Sequence, residues 1–492
     1  MYVLTLLSVL FPVAAGAALL VRRPRNRRAR NIYCICCALI TSVFVLGSVA
    51  ATAALGAEST ALTIARLSEK LTLALRLDGA GMVFGCIIGV LWPLTTVYAF
   101  SYMAHEGMEN KFFGFFLMSY GVVAGIAFSA NFFSMYLFYE FMTLATLPLV
   151  MHEMDDKARY AGKRYILYSM TGAALVFIAL VLLLQCGDTL DFTPGGVISA
   201  AKAAGREGTL RLVFVLGFFG FGVKSAIFPL HGWLPAASVA PTPVTALLHA
   251  VAVVKSGAFA VMRLIYFSFG TSLLAGTWAQ NLVICAAALT VAYGSVRALR
   301  MPHLKRRLAY STVSNLSYIL LSFALMTPAG LTGGLLHMIY HAVIKITLFF
   351  CAGAILHRTE LEYVAEMEGM HKRMPATCAV FTFAALALMG VPPLGGFIAK
   401  WSIASAACAL GTPAGYAGAA ALIVSAVLTA LYMMTVVIRF YFPLKSAPAM
   451  SERTEADWQM LLPLGILCAL ILALSLGSGT LVELLTRIGG AA

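Results

Sequence analysis

Long, nearly continuous apolar runs recur along the chain, separated by short segments that carry most of the charged residues. The run from Ile166 to Leu184 shows none of the apolar–polar alternation that the strands of a membrane β-barrel require. Runs of about 20 residues are long enough to cross a bilayer as α-helices, which satisfy their own backbone hydrogen bonds. The pattern therefore predicts an all-α integral membrane protein.

About fourteen transmembrane helices are predicted. Their approximate limits are Tyr2 to Val21, Tyr33 to Ala54, Gly79 to Ala104, Phe112 to Ala130, Phe132 to Met151, Tyr165 to Cys186, Leu212 to Phe228, Val244 to Phe267, Trp278 to Leu299, Lys305 to Met326, Thr332 to Leu356, Thr377 to Leu410, Ala417 to Phe442 and Met460 to Leu481. The twelfth is too long for one straight span and contains a Pro- and Gly-rich stretch from Gly390 to Gly396, so we expect it to be discontinuous. A similar stretch, Phe228 to Pro235, ends the seventh.

Composition agrees with this class of protein. Of 492 residues, 61% are hydrophobic and only 11% are charged, against roughly 25% charged in soluble domains. A net charge of +14 would suggest nucleic acid as the partner of a soluble protein. In a membrane protein it has to be divided between the two sides, and we predict a lipid bilayer and no nucleic acid as partner.

Lys and Arg concentrate in cytoplasmic loops, which orients the predicted helices. With the first loop inside, 22 basic residues fall on one side and 7 on the other. The larger set is Arg22, Arg23, Arg25, Arg27, Arg28, Arg30, Lys111, Lys157, Arg159, Lys163, Arg164, Arg297, Arg300, Lys305, Arg306, Arg307, Arg358, Lys372, Arg373, Arg439, Lys445 and Arg453. We therefore expect a multi-pass protein of the cell inner (cytoplasmic) membrane with both termini on the outer side.

Five basic residues remain inside predicted helices: Lys224, Lys255, Arg263, Lys345 and Lys400. Each would cost about 2.5 to 3.5 kcal/mol if it faced lipid. Arg263 is close enough to the outer end of its helix for its guanidinium group to reach the interface, but the four lysines cannot all do so. Glu140 is the one acidic residue well inside a helix, with Asp78 at the edge of another, so at least three lysines lack an acidic partner in this chain.

Such lysines suit a proton relay. Burial disfavours the charged form of a lysine and a nearby carboxylate favours it, so the side chain can change protonation state when its partner moves. Arg cannot do this because it stays charged. Inside its predicted helices the chain has Lys, Glu and His, which all change protonation state, and this favours proton transfer through the membrane.

The eleventh helix adds titratable groups to this pattern. His337, His341 and Lys345 are four residues apart and share one helical face over about 12 Å of bilayer depth. Histidine titrates near neutrality and can pass protons on through water. His249 is a further relay candidate, although a single histidine in a helix is equally well explained as a hydrogen-bonded core group.

The two Pro- and Gly-rich stretches each lie within a few residues of a lysine, Lys224 and Lys400. Unwound backbone is tolerated inside a membrane only beside protein or water, so the pairs indicate an internal repeat with a shared pathway. The segment Leu247-Leu-His-Ala250 before Lys255 also resembles Leu335-Leu-His-Met338 before Lys345. Ordinary proline kinks remain the alternative for either break alone.

Several motifs together resemble the proton-conducting antiporter-like proteins of respiratory complex I, of Mrp-type cation/proton antiporters and of membrane-bound hydrogenases. They are Lys224-Ser-Ala-Ile-Phe-Pro-Leu-His-Gly-Trp-Leu-Pro235, Ala240-Pro-Thr-Pro-Val-Thr-Ala-Leu-Leu-His-Ala250 with Lys255, Tyr139-Glu140, Lys305-Arg-Arg-Leu-Ala-Tyr-Ser-Thr-Val-Ser314, His341-Ala-Val-Ile-Lys345 and Gly390-Val-Pro-Pro-Leu-Gly-Gly-Phe-Ile-Ala-Lys400. The resemblance spans Gly79 to about Phe442. Two positions differ from the family pattern: Ala236 stands where an acidic residue usually follows the first motif, and His303 where one often precedes the fourth.

The resemblance implies two inverted five-helix repeats, each with a broken helix. Residues 105–268 would hold the first repeat and 269–442 the second, between three N-terminal helices in residues 1–104 and a cytoplasmic loop with a last helix in residues 443–492. It also implies residue roles: Glu140 would pair reversibly with Lys224, Lys255 would be the central bridge, His337, His341 and Lys345 the second relay, and Lys400 the terminal lysine.

The resemblance further implies a subunit that translocates protons, or sodium ions, together with other membrane subunits of a host complex. We predict no cofactor and no metal, because the ten cysteines show no ligand spacing and no nucleotide motif is present. The chain would have no redox site itself but would serve an oxidoreductase or an antiporter. A stand-alone secondary transporter of a small solute and a structural or quinone-site subunit are the alternatives.

Overall fold

The computed structural model describes residues 2–22, 24, 26–55, 61–443 and 453–490. In chain order its α-helices are α1 Tyr2–Val21, α2 Arg27–Leu55, α3 Gly79–Tyr102, α4 Glu109–Ala127, α5 Phe132–Val150, α6 Asp156–Cys186, α7 Ala200–Ala203, α8 Glu207–Gly222, α9 Trp233–Ala236, α10 Thr242–Ala250, α11 Val253–Arg263, α12 Thr271–Leu274, α13 Trp278–Arg300, α14 Leu304–Ala324, α15 Pro328–Thr359, α16 Met370–Arg373, α17 Pro375–Met389, α18 Gly395–Ala409, α19 Pro413–Tyr441, α20 Trp458–Leu476 and α21 Ser478–Gly490. The predicted all-α membrane architecture is confirmed. Arg23, Arg25 and Lys445 of the predicted topology, and Ala492, lie outside the described residues.

Each of the fourteen predicted segments overlaps a helix or a pair of consecutive helices. Within the described ranges, eleven helical segments are long and apolar enough to cross a membrane. The shorter helix α17 is also apolar. That all fourteen segments cross the bilayer stays a prediction.

Helix α15 lies at the centre of the bundle and packs against α3, α10, α14, α17, α18, α20 and α21. Helices α10 and α11, with the π-helical turn Leu264–Phe269 that continues them, are buried along their whole length. A polar side chain on these helices therefore faces protein and must find its partners there.

The predicted eighth helix is not continuous. Val251 and Ala252 leave helical geometry between α10 and α11, and both of their N–H groups donate to Leu247 O, at 2.9 and 2.8 Å. His249 stands two residues before this break and Lys255 three residues after it. Neither Val251 nor Ala252 is a helix breaker, so the interruption is a product of packing.

One β-hairpin, β1 Leu62–Arg66 with β2 Thr72–Leu75, joins α2 to α3. It caps the end of the bundle next to the α4–α5 turn, where Ala74 N donates to Ser134 Oγ at 2.8 Å and Asn131 donates to Thr72 O at 2.9 Å. Nothing in the apolar pattern indicates this hairpin, because its strands are only five and four residues long.

Close contact between α6 and α8 depends on two glycines. A Cβ atom built at Gly172 would lie 2.6 Å from Gly220 O, and one built at Gly220 would lie 2.8 Å from Gly172 O. Small residues let helix backbones approach in this way inside membranes. The last turn of α8, which precedes Lys224, is therefore held directly against α6.

Candidate functional site

Lys224 lies in the turn that follows α8, where the predicted seventh helix is interrupted, and it is fully buried. Its ammonium group donates a hydrogen bond to Tyr139 O and stands 3.5 Å from the centre of the Tyr139 ring. The Tyr139 hydroxyl in turn donates to Gly220 O and Phe221 O, both at 3.3 Å. Tyr139 thus connects α5 to the broken helix at the position of the lysine.

Glu140 follows Tyr139 on α5 and is half-buried. No direct ion pair joins its carboxylate to Lys224, whose ammonium group donates to the Tyr139 carbonyl. The buried Oε1 of Glu140 has no hydrogen-bond partner within the described residues. The structure therefore brings the two groups onto neighbouring elements but holds them apart.

Lys255, in the first turn of α11, is fully buried and lies 2.7 Å from His341 Nδ1, measured from its Nζ atom. Gly257, two residues further, allows this part of α11 to approach the Lys224–Ser225 backbone: a Cβ atom there would lie 2.8 Å from Ser225 N. Lys255 consequently stands between the first broken helix and the histidines of α15.

His337 and His341 follow one face of α15, with their ring centres 5.9 Å apart. The His337 ring is 5.3 Å from that of Tyr318, and the Lys400 ammonium group lies 5.6 Å from the centre of the Tyr318 ring. Lys400 donates to the last carbonyls of α17, Leu388 O at 2.7 Å and Met389 O at 3.0 Å.

Lys345 is the third group of the α15 face, but it turns toward α14. It donates to Leu308 O at 3.0 Å and to Ser311 Oγ at 2.7 Å. Ser311 also accepts a hydrogen bond from the Tyr432 hydroxyl at 2.8 Å. Two hydroxyl groups therefore connect Lys345 to α19.

His249 is fully buried against the Phe349 ring. Neither of its ring nitrogens has a hydrogen-bond partner within the described residues, and the same holds for both nitrogens of His337 and for Nε2 of His341. Buried polar atoms normally have a partner, so these five nitrogens mark places where internal water is expected. They lie on α10 and α15, beside the lysines.

A cavity of about 970 Å³ opens among the loops of the basic side, and its walls include Glu106, Glu153, His303, Glu362 and Lys305. Lys305 is 6% exposed and donates to Ala240 O at 3.0 Å. The sequence places Lys305 at the start of the tenth predicted helix and counts it with the basic side, and the structure has it in the first turn of α14 with its side chain buried in the protein. Burial raises the pKa of the Glu106 carboxyl, a rise that the charge of Lys305 opposes.

Arg263, which the sequence places near the outer end of its helix, forms an ion pair with Asp78 inside the protein. Its guanidinium group is fully buried and forms two hydrogen bonds of 2.6 Å with Asp78, the N-cap residue of α3. The rings of Phe192, Phe259 and Phe267 surround it at 4.7 to 4.9 Å. The charge of Arg263 is thus compensated within the protein, since Asp78 accepts a hydrogen bond from each of its two terminal nitrogens.

Tyr318, Ser311 and Tyr432 join the candidate groups, although the sequence pattern does not single them out. Ser311 is part of the motif that begins at Lys305, and Tyr318 lies seven residues further on α14, on the same helical face. Spacing from a recognised motif could have drawn attention to both, whereas nothing in the sequence distinguishes Tyr432.

Comparison with known proteins gives a consistent result. A family model described as NADH:quinone oxidoreductase/Mrp antiporter, TM, matches residues 129–451. Hydrogenase-4 component B of Escherichia coli (strain K12) is 32% identical over 445 residues, covering 85% of this chain and 64% of that protein. NADH-quinone oxidoreductase subunit N of Desulforudis audaxviator is 33% identical over 350 residues, covering 70% of this chain and 68% of that protein.

Solved structures share the fold. A chain of the membrane-bound sulfane sulfur reductase, an archaeal respiratory membrane complex, superposes with a TM-score of 0.87 at 23% identity, covering 99% of this chain and 97% of that one. A chain of the Mrp complex from Dietzia sp. superposes with a TM-score of 0.84 at 22% identity over the same shares.

Proposed function

The chain belongs to the NADH:quinone oxidoreductase/Mrp antiporter transmembrane family, and from that premise we propose that it is a proton-translocating subunit of a multisubunit membrane complex. The chain spans 64% of the length of hydrogenase-4 component B, so the activity of the whole complex is part of the proposal. The relatives named above include subunits of a hydrogenase and of an NADH-quinone oxidoreductase, which supports membrane subunits as partners.

The contact between Lys255 and His341 carries this proposal. At 2.7 Å, one nitrogen must donate and the other accept, so the two groups hold one shared proton in a hydrogen bond. Two titratable nitrogens this close exchange that proton without a large movement, and their protonation is coupled. A purely structural contact in an apolar interior would not need a group that can lose its charge.

The groups on either side of this contact extend it into a path. Toward α5 lie Lys224 and Glu140, and toward α18 lie His337, Tyr318 and Lys400. Lys345 and His249 lie beside the centre, and their surroundings lead to Lys305 and the cavity of the basic side. His249 is a further candidate for the relay. The residues that we assign to the relay are Glu140, Lys224, Lys255, His337, His341, Lys345 and Lys400.

Protons suit these groups better than sodium ions do. Sodium, like other hard cations, prefers oxygen ligands, whereas the central contact of the proposed path joins two nitrogen atoms. Lysine and histidine in this arrangement can carry a proton but do not offer the oxygen ligands that sodium prefers.

The proposed architecture has two inverted repeats, residues 105–268 and 269–442, flanked by residues 1–104 and 443–492. The breaks after α8 and between α17 and α18, each adjacent to a lysine, support this division. Four of the loops assigned to the basic side, between α3 and α4, α5 and α6, α13 and α14, and α15 and α16, line one cavity, which supports putting them on the same side of the membrane. The excess of basic residues supports the cytoplasm of an inner membrane as that side, with both termini outside.

Ion flux by the assembled host complex, reconstituted in vesicles that contain a pH-sensitive dye, tests the proposal. Lys255→Met should preserve assembly and lower proton flux at least about tenfold, since methionine fills similar space but holds no proton. Ser256→Ala, the adjacent substitution, removes only a bond to Ala252 O of the same helix and should leave flux within about twofold of wild type.

Two results would contradict the proposal. Normal proton flux by assembled Lys255→Met would remove the lysine from the path. Movement of a small solute by the chain alone, without partner subunits and unchanged by Lys255→Met, would favour the stand-alone transporter instead.

A further inference from the structure

A second cavity, of about 480 Å³, lies on the basic side between the start of α6, the segment that contains α9, the end of α13 and the start of α14. Four cationic residues contribute to its walls: Lys157, Arg164, Arg297 and Arg306. Asp156 is the one acidic residue among its lining residues. The cavity therefore has an excess of positive charge.

The two half-buried cations of this cavity have no carboxylate partner within the described residues. Arg164 donates to the hydroxyls of Tyr160 and Tyr168, at 3.1 and 3.4 Å, and Arg297 donates to that of Tyr310, at 3.4 Å. All three bonds go to neutral hydroxyl groups and two of them are long, and the buried Nε of Arg297 has no hydrogen-bond partner within the described residues. Their remaining N–H groups are available to an anion.

Two small residues, Gly232 and Ala236, leave space in the cavity and add no negative charge to it. A Cβ atom at Gly232 would lie 2.8 Å from the Arg164 guanidinium group, so the absence of a side chain there allows the guanidinium group to sit against the backbone. Ala236, which also lines the cavity, occupies a position where the related motif usually has an acidic residue. A carboxylate at position 236 would neutralise part of the charge.

The surroundings of the cavity are apolar and exposed, as the acyl part of a lipid requires. Leu167, one turn from Arg164 on the same face of α6, is 66% exposed. On α13, Leu289 and Val296 stand seven residues apart on one face and are 55% and 37% exposed. Tyr160 lines the cavity and is exposed, and aromatic rings are enriched where membrane proteins meet lipid headgroups.

We infer that this cavity binds the phosphate group of an anionic phospholipid. Arg164 and Arg297, from α6 and α13, would bind the phosphate oxygens, since a planar guanidinium group matches phosphate with paired hydrogen bonds. The acyl chains would lie along the exposed apolar residues of the two helices. Basic cavities between membrane helices on the cytoplasmic side are suited to such headgroups.

Native mass spectrometry of the full chain in detergent, titrated with dioleoyl phosphatidylglycerol, tests the inference. Dioleoyl phosphatidylcholine and inorganic phosphate serve as the comparison ligands. We expect the wild type to retain phosphatidylglycerol in preference to phosphatidylcholine. The double variant Arg164→Gln with Arg297→Gln should raise the binding midpoint about tenfold, whereas Arg159→Gln with Arg300→Gln, exposed residues on the same two helices, should change it less than twofold.

A pair of variants at position 236 tests the site even if the double variant folds poorly. Ala236→Asp should weaken phosphatidylglycerol binding about three- to tenfold because it adds a carboxylate near the guanidinium groups. Ala236→Asn has the same size without the charge and should bind as the wild type does.

Three outcomes would overturn the inference. One is equal retention of the two lipids by the wild type. Another is equal weakening by Ala236→Asp and Ala236→Asn. The third is full displacement of phosphatidylglycerol by an equal concentration of inorganic phosphate, which would mean that the cavity binds a free anion rather than a lipid.

Discussion

In the proposed relay, Lys400 would gain or lose a proton without loss of its anchoring contacts. The last carbonyls of a helix lack partners in the helix itself, and the Lys400 amine donates to two of them, at Leu388 and Met389. A neutral amine has two N–H donors and an ammonium group has three. The two carbonyls are therefore satisfied in either state, and the third proton is the transferable one.

Lys400→Arg tests this role. Arginine keeps the positive charge and can donate to the same carbonyls, but it does not deprotonate in the accessible pH range. We expect proton flux in reconstituted vesicles, normalised to assembled complex, to fall at least about tenfold. Lys372→Arg, at an exposed lysine, should have no effect, and wild-type flux in Lys400→Arg would exclude Lys400 from proton transfer.

The titratable residues could be found from the sequence because a charge inside an apolar run is conspicuous. Their partners could not. Lys255 and His341 are 86 positions apart, and the acceptor of Lys224 is a backbone carbonyl, which every residue has. The buried pairing of Arg263 with Asp78, 185 positions away, could not be predicted for the same reason.

At the scale of helices, an apolar run of spanning length defines an element well, and Pro or Gly reveals its breaks. Helix α1 ends where the run ends, and the Gly390 to Gly396 stretch separates α17 from α18. The break at Val251 and Ala252 has no such residue, so only the packing of α10 and α11 against their neighbours specifies it.

The ion pair between α3 and α11 gives a prediction at this scale. Asp78→Asn keeps the N-cap of α3, because Asn caps helices as well as Asp does, but it leaves the Arg263 charge uncompensated. The free energy of unfolding should fall by about 3 kcal/mol. Unfolding of the detergent-solubilised chain by a denaturing detergent measures this loss.

A second substitution distinguishes the ion pair from a general effect on α3. Combined with Arg263→Met, Asp78→Asn should be less destabilising than it is alone, because the unpaired charge is gone. Additive losses in the double variant would show that the two side chains do not depend on one another.

For the whole molecule, the separation of two faces is the feature that sequence predicts best. Four of the segments assigned to the basic side line the cavity that contains Lys305, whereas the β-hairpin and the α4–α5 turn lie together at another part of the surface. Which face meets the cytoplasm follows from charge alone and stays a prediction.

Labelling with a membrane-impermeant maleimide tests the orientation. In a background without the exposed cysteines Cys36, Cys86, Cys285 and Cys408, Arg28→Cys should react only from the cytoplasmic side and Glu69→Cys only from the outside. A reporter fused after Ala492 should also appear outside. The reverse labelling of the two cysteines would invert the proposed topology.

The contact between Gly172 and Gly220 makes the proposed proton transfer depend on side-chain size as well as on charge. An alanine at either position would push α8 away from α6 and carry Lys224 with it, although neither glycine can hold a proton. Val223 and Val176 are among the side chains nearest to the added methyl groups. In a genetic selection for restored growth, second-site revertants of such an alanine should replace one of these valines by a smaller residue. Suppressor mutations would then map to positions that never contact the transported ion.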